Sequence, residues 1–125
     1  MTDAFASTDP PRARAKEPDD LARLLLERLN AGDVEGVVQL YERDAGLARP
    51  DGGSAEGHEQ LRRFYAALLA SRPSFAPGQQ LPALRLGDLA LTATRLLGGG
   101  ATAEVARRQP DGSWRWALDR PDIVP

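Results

Sequence analysis

Residues 101–119 read Ala-Thr-Ala-Glu-Val-Ala-Arg-Arg-Gln-Pro-Asp-Gly-Ser-Trp-Arg-Trp-Ala-Leu-Asp, and this run decides the fold. Pro110-Asp111-Gly112 is its turn. Proline pre-sets φ for a first central position, aspartate tolerates the second, and glycine takes a positive φ without steric penalty. Both flanks alternate with period two, which predicts a long β-hairpin. In the first arm Thr102, Glu104 and Ala106 share one side and Ala103, Val105 and Arg107 the other. In the return arm Trp114, Trp116 and Leu118 share one side and Arg115, Ala117 and Asp119 the other. The loop length sets the pairing. A two-residue loop puts Glu104 opposite Ala117, with Asp119 on the same side; a three-residue loop with a bulge at Gly112 puts Glu104 against Leu118. The sequence admits both. Two tryptophans and two acids on the strongest strand signal predict that the core, and any pocket, is built against this hairpin.

Upstream the pattern also alternates. Residues 81–86 and 89–97 are strand candidates joined at Gly87-Asp88, and Gly98-Gly99-Gly100 leads into the hairpin. Before them the period is helical. Asp19 or Asp20 can cap a first helix whose Leu21, Leu24, Leu25 and Leu29 fall on one face, and Gly32 suits its left-handed end. Asp33 caps a short second helix with Val34, Val37, Val38 and Tyr41 as its apolar side. A short extended segment at 45–49 and a turn at 50–53 follow. A third helix over about residues 58–70 presents Leu61, Phe64, Tyr65, Leu68 and Leu69 as one stripe. Residues 1–18 hold three prolines and few apolar groups and read as a mobile lead-in, leaving residues 19–125 as one domain. Helices followed by a strand meander predict an α+β layer, with the helices on one face of an antiparallel sheet.

Composition narrows the function. A net charge of −2 gives no basic stripe for nucleic acid, and no apolar run reaches the length of a membrane span. With no cysteine there is no disulfide framework and no thiolate nucleophile, and a single histidine argues against zinc. No metal or cofactor is expected. The glycine run at 98–100 has no helix after it to cradle a phosphate. A cytoplasmic location is the expectation.

The order of elements resembles the nuclear transport factor 2-like superfamily, and within it the SnoaL-like and ketosteroid-isomerase-like branch. The matching pieces are Leu29-Asn30-Ala31-Gly32-Asp33 with residues 37–41, Gly57 with Leu61-Arg62-Arg63-Phe64-Tyr65, and Asp111-Gly112-Ser113-Trp114. The resemblance implies a cystatin-like α+β cone, with three N-terminal helices packed on a strongly curved, mostly antiparallel sheet. It also implies a homodimer formed through the open sheet face. The pocket would lie between the third helix and the concave sheet face.

Steroid-type isomerisation needs groups that this chain lacks. The aspartate base before a proline is replaced by Arg49, and the oxyanion tyrosine of the first helix by Leu25. The second oxyanion carboxyl corresponds to Glu104, and the supporting tyrosine to Tyr65. An arginine cannot take up a proton at neutral pH. If Glu104 faces the interior, desolvation raises its pKa and fits it for acid or base work. On the sheet surface it would instead pair with Arg95 or Arg115. Asp119 is a second pocket acid or a surface partner of Arg120. Arg49 would hold an anionic group, pair with Glu104, or lie on the surface. Leu25, Tyr65, Ala106, Trp116 and Ala117 are the apolar pocket candidates, and His58 a solvated helix-start residue or a proton carrier. Two function classes follow. One is cofactor-free proton transfer (isomerisation, cyclisation or dehydration) on a small apolar organic molecule. The other is a non-catalytic ligand-binding or dimerisation module in which an arginine neutralises Glu104.

Overall fold

The computed structural model describes residues 12–124. Three helices, α1 (Asp20–Asn30), α2 (Val34–Val38) and α3 (Gly57–Leu69), lie with six strands, β1 (Tyr41–Ala48), β2 (Ser54–Glu56), β3 (Gln79–Leu86), β4 (Leu89–Arg95), β5 (Ala101–Arg108) and β6 (Trp114–Ile123). The strands form one open mixed sheet in the order β2-β1-β6-β5-β4-β3, in which β1 and β6 run parallel and the other neighbours antiparallel. This is the expected α+β architecture. The four-strand meander β3–β6 is as expected, and β1 and β2 extend the sheet beyond it.

The helices form where the apolar spacing places them. Leu21, Leu24 and Leu29 of α1 and Leu61, Tyr65 and Leu69 of α3 are buried against the sheet. Gly32 takes φ 68° just past α1, and Asp33 caps α2 by accepting from the Gly36 amide at 3.0 Å. The carboxyls at the start of α1 act otherwise than as helix caps. Asp20 accepts from the backbone amides of Lys16 and Glu17, and Asp19 from that of Ala83 on β3.

β1 starts four residues earlier than the extended segment expected from residue 45. Tyr41, read from its spacing as the last apolar residue of α2, is instead the first residue of β1. The reason is tertiary: the Trp116 amide donates to the Leu40 carbonyl at 2.8 Å, and Tyr41 pairs with Trp116 across the parallel ladder. Five residues of helix cannot outweigh a place in the sheet.

Of the lead-in expected over residues 1–18, residues 1–11 lie outside the described residues. Residues 12–18 are laid along the fold. Ala15 is buried, bridges Trp114, and accepts its amide proton at 2.8 Å.

The hairpin turn follows the three-residue reading. Gln109 and Ser113 close it (Gln109 N–H to Ser113 carbonyl, 2.7 Å), with Gly112 at φ 86°. The register of the three-residue loop holds from Arg108 to Ala106 and then breaks, so Glu104 meets neither Ala117 nor Leu118. Ala106 pairs with Trp116 but Val105 pairs with Leu118, so Ala117 is an extra residue, a β-bulge. Beyond it Glu104 stands opposite Asp119, and Ala103 opposite Arg120. The bulge also reverses the alternation: Leu118 turns outward and Asp119 joins Trp114 and Trp116 on the inner face.

Candidate functional site

The inner face of β1, β4, β5 and β6 carries a polar cluster inside an apolar core. Glu104 and Asp119 are each 6% exposed, and Thr92 beside Glu104 on β4 is 3% exposed. Thr92 Oγ1 donates to Glu104 Oε1 at 2.6 Å and accepts from Trp116 Nε1 at 3.1 Å. Tyr41 Oη donates to Asp119 Oδ2 at 2.5 Å and lies 2.5 Å from Tyr65 Oη. A tyrosine has one hydroxyl proton, so while Tyr41 donates to Asp119, Tyr65 must donate to Tyr41. Asp119 Oδ1 is buried with no hydrogen-bond partner.

No arginine or lysine forms an ion pair with either acid among the described residues. The surface alternative, Glu104 paired with Arg95 or Arg115, is therefore corrected, as is Asp119 paired with Arg120. Burial raises the Glu104 pKa, partly offset by hydrogen bonds from Thr102 and Thr92. Burial, then repulsion from Glu104, pushes Asp119 up to about 7, with the Tyr41 hydrogen bond pulling the other way. Burial and the nearby acids raise both tyrosines, so they stay protonated donors. The two carboxyls share the inner face without a hydrogen bond between them, and the charge of Glu104 adds to burial in raising Asp119.

The remaining candidates divide. Tyr65, Ala106 and Trp116 are at most 4% exposed and packed in the core. Tyr41 fills the space between Tyr65 and Trp116, with ring centroids 6.0 and 5.5 Å away. The volume expected to be an open apolar pocket between α3 and the sheet is occupied there by this ring. Leu25 packs half-buried against the core. Arg49 does not reach Glu104; it pairs with Asp51 at 3.0 Å across the β1–β2 turn. It shares with Ala117, Glu104 and Asp119 the wall of an open cleft of ≈ 660 Å³ beside the β1–β2 hairpin. His58 is half-buried at the start of α3, its Nε2 2.8 Å from the Tyr41 carbonyl, where it ties α3 to β1.

Two members of the cluster, Tyr41 and Thr92, are not legible as site residues in the sequence. Thr92 alternates correctly for an inward position on β4, but nothing local marks its hydroxyl as the partner of Glu104. Tyr41 was hidden by its helical spacing from Val37 and Val38.

An open mixed sheet wrapped on three helices, with carboxyls and tyrosines facing inward, defines a cystatin-like α+β protein. The family model described as SnoaL-like domain matches residues 22–119, and the chain belongs to that family. Among solved structures, it is similar to a ketosteroid isomerase-like protein from Erwinia carotovora atroseptica, with 18% identity, TM-score 0.68, and 86% of this chain and 93% of that one covered. It is also similar to an NTF2-like protein with a cystatin-like fold from Novosphingobium aromaticivorans, with 20% identity, TM-score 0.64, and 87% and 80% covered. A cystatin-like domain of unknown function from Nostoc punctiforme aligns at 13% identity and TM-score 0.72, with 86% and 75% covered. No curated protein matches the chain at a significant level. Among the described residues, no helix is long and apolar enough to cross a membrane.

Proposed function

We propose that the chain is a cofactor-free acid–base protein acting on a small organic molecule, with Glu104 and Asp119 as its proton-transferring pair. The observation that carries this reading is the pair itself: two buried carboxyls, directly opposed on β5 and β6, with no cation among the described residues to neutralise them. A structural ion pair would depress their pKa values. Here burial raises both, and it takes Asp119 to about 7, where a carboxyl can give and take a proton near neutral pH. Tyr41 and Tyr65 supply aligned hydroxyl donors beside Asp119. Isomerisation, cyclisation and dehydration can each proceed by proton transfer through such a group. Steroid-type isomerisation is disfavoured by Leu25 and Arg49 at the positions of its donor and base. The cleft that Glu104, Asp119 and Arg49 border also has Leu91, Val105 and Leu118 of the outward sheet face in its wall.

The second reading, a binding or dimerisation module, draws on the outward sheet face. Leu84, Leu86, Leu91 and Leu118 are 70, 83, 47 and 58% exposed there. The resemblance implies a homodimer through this face, and such a pairing is compatible with catalysis.

The test is a thermal-shift screen of apolar ketones, lactones and small carboxylic acids on wild type and Glu104→Gln. A ligand at 100 times its dissociation constant adds about 2.7 kcal/mol, a shift of several degrees. A hit weakened by Glu104→Gln, followed by turnover lost in that variant, supports the acid–base reading. Hits indifferent to Glu104→Gln, with no turnover, favour the binding module.

A further inference from the structure

A second cleft, of ≈ 380 Å³, lies between residues 12–15 and the start of β6, apart from the Glu104–Asp119 pair. Four arginines line it (Arg12, Arg14, Arg28 and Arg115), together with Gln39 and Ser113, and among the described residues no carboxylate does. The chain as a whole carries a net charge of −2, so this concentration of positive charge is local and does not reflect composition.

The state of each guanidinium is informative. Arg12 is paired with Asp33 at 2.7 Å, and Arg14 is bridged to Asp111. Arg28, on α1, is only 8% exposed. It donates to the Gly36 carbonyl at 2.8 Å and to the Ala13 carbonyl, and makes no ion pair among the described residues. Desolvation lowers its pKa, offset in part by the field of Asp33, whose carboxylate is already held by Arg12. Arg115, half-buried, has neither an ion pair nor a side-chain hydrogen bond among the described residues. A buried charge satisfied only by carbonyl dipoles is unfavourable, and a matching anion relieves it. Guanidinium forks bind carboxylate and phosphate oxygens in pairs. The volume suits a small metabolite rather than a bare ion.

We propose that this cleft binds a small molecule carrying a doubly charged oxyanion, phosphate or dicarboxylate, held between Arg28 and Arg115. Arg28 also ties α1 to α2 and to residue 13, so it positions the site as well as charging it. Arg115 carries no such structural duty and is the residue on which the idea can be tested.

The full chain is titrated with pyrophosphate and, separately, with succinate, by calorimetry and thermal shift at constant ionic strength. The comparison variants are Arg115→Gln and Arg63→Gln, the second an exposed arginine of α3 that does not line the cleft. Saturable binding by either probe is expected, weakened about tenfold by Arg115→Gln and unchanged in Arg63→Gln. The tighter probe identifies the ligand as a phosphate or a dicarboxylate. No saturable binding by either probe, or equal affinity in wild type and Arg115→Gln, overturns the proposal. Because Glu104 lines only the other cleft, loss of activity in Glu104→Gln and loss of anion binding in Arg115→Gln are independent results.

Discussion

Glu104 and Asp119 are paired residues on adjacent antiparallel strands, and both point inward because the bulge at Ala117 inserts one residue between them and the turn. Without that extra residue the turn geometry would put Glu104 against Leu118 and leave the acids on opposite faces. One alanine therefore decides that the field of Glu104 reaches Asp119 and raises its pKa. Like charges directly opposed across a ladder are destabilising, and here they are also desolvated. The fold tolerates them through Thr92 and Tyr41, whose hydroxyls donate to Glu104 and Asp119 respectively.

The Asp119 shift makes stability depend on pH. Its folded pKa, about 7, lies above the ordinary aspartate value of 3.8, so the folded state holds this proton more tightly than the unfolded one. Stability from this group is thus full at acid pH and falls as pH rises toward 7, by at most ~1.4 kcal/mol per unit. Urea unfolding of wild type is expected to give a lower free energy at about pH 8 than at about pH 5. Asp119→Asn keeps an oxygen for Tyr41 and removes the titration, so its stability should change far less across that interval. An equal loss in both proteins would mean that Asp119 titrates normally.

Tyr41→Phe removes the hydroxyl shared by Tyr65 and Asp119. Two buried polar groups lose a partner, which should destabilise the fold by ~1–3 kcal/mol. The Tyr41 hydrogen bond is what lowers the Asp119 pKa against burial, so its loss should move the Asp119 titration upward. Carboxyl carbon shifts measured by NMR through a pH series read this directly. An unchanged or lower midpoint would show that the Tyr41–Asp119 bond is not made in solution.

How much of this was legible in the sequence follows from the range of each interaction. The helices, the meander and the hairpin turn are written locally, in apolar spacing and in Gly32, Gly87 and Gly112, each at positive φ. Glu104 as an interior acid was reachable because its alternation with Ala106 survives in the structure. The inward turn of Asp119 was not, because simple alternation grouped it with Arg115 and Ala117. A β-bulge has no required residue type, and Ala117 announces nothing. Tyr41 was misread for the opposite reason. Its spacing was a good helical signal, overridden by parallel pairing with a strand 75 residues away. The arginine cleft was likewise invisible, since it needs residues 12–15 to return beside Trp114.

Thr92→Val tests the other half of the cluster. The substitution is nearly isosteric, but it removes the donor to Glu104 Oε1 and the acceptor for Trp116 Nε1. A loss of ~1–3 kcal/mol is expected from the unsatisfied groups, with a further rise of the Glu104 pKa, since the Thr92 hydrogen bond lowers it. Trp116 fluorescence should change as its indole N–H loses its partner. Wild-type stability together with an unshifted emission spectrum would place Thr92 outside the network.

Leu91→Glu addresses the proposed homodimer. Leu91 sits on β4 between Leu84 of β3 and Val105 of β5, all facing away from the helices, so it lies within the exposed apolar face. A protomer pairing through this face would bury Leu91 against its copy, and a carboxylate there would be desolvated without a partner at a cost of several kcal/mol. Leu91 is 47% exposed in the single chain, so the same substitution should leave the monomer fold within about 0.5 kcal/mol of wild type. Light scattering after size exclusion is expected to give twice the chain mass for wild type and a single chain for Leu91→Glu, with matching circular dichroism. A monomeric wild type would remove the dimer from this face. A dimer that survives Leu91→Glu would place the contact elsewhere on the surface.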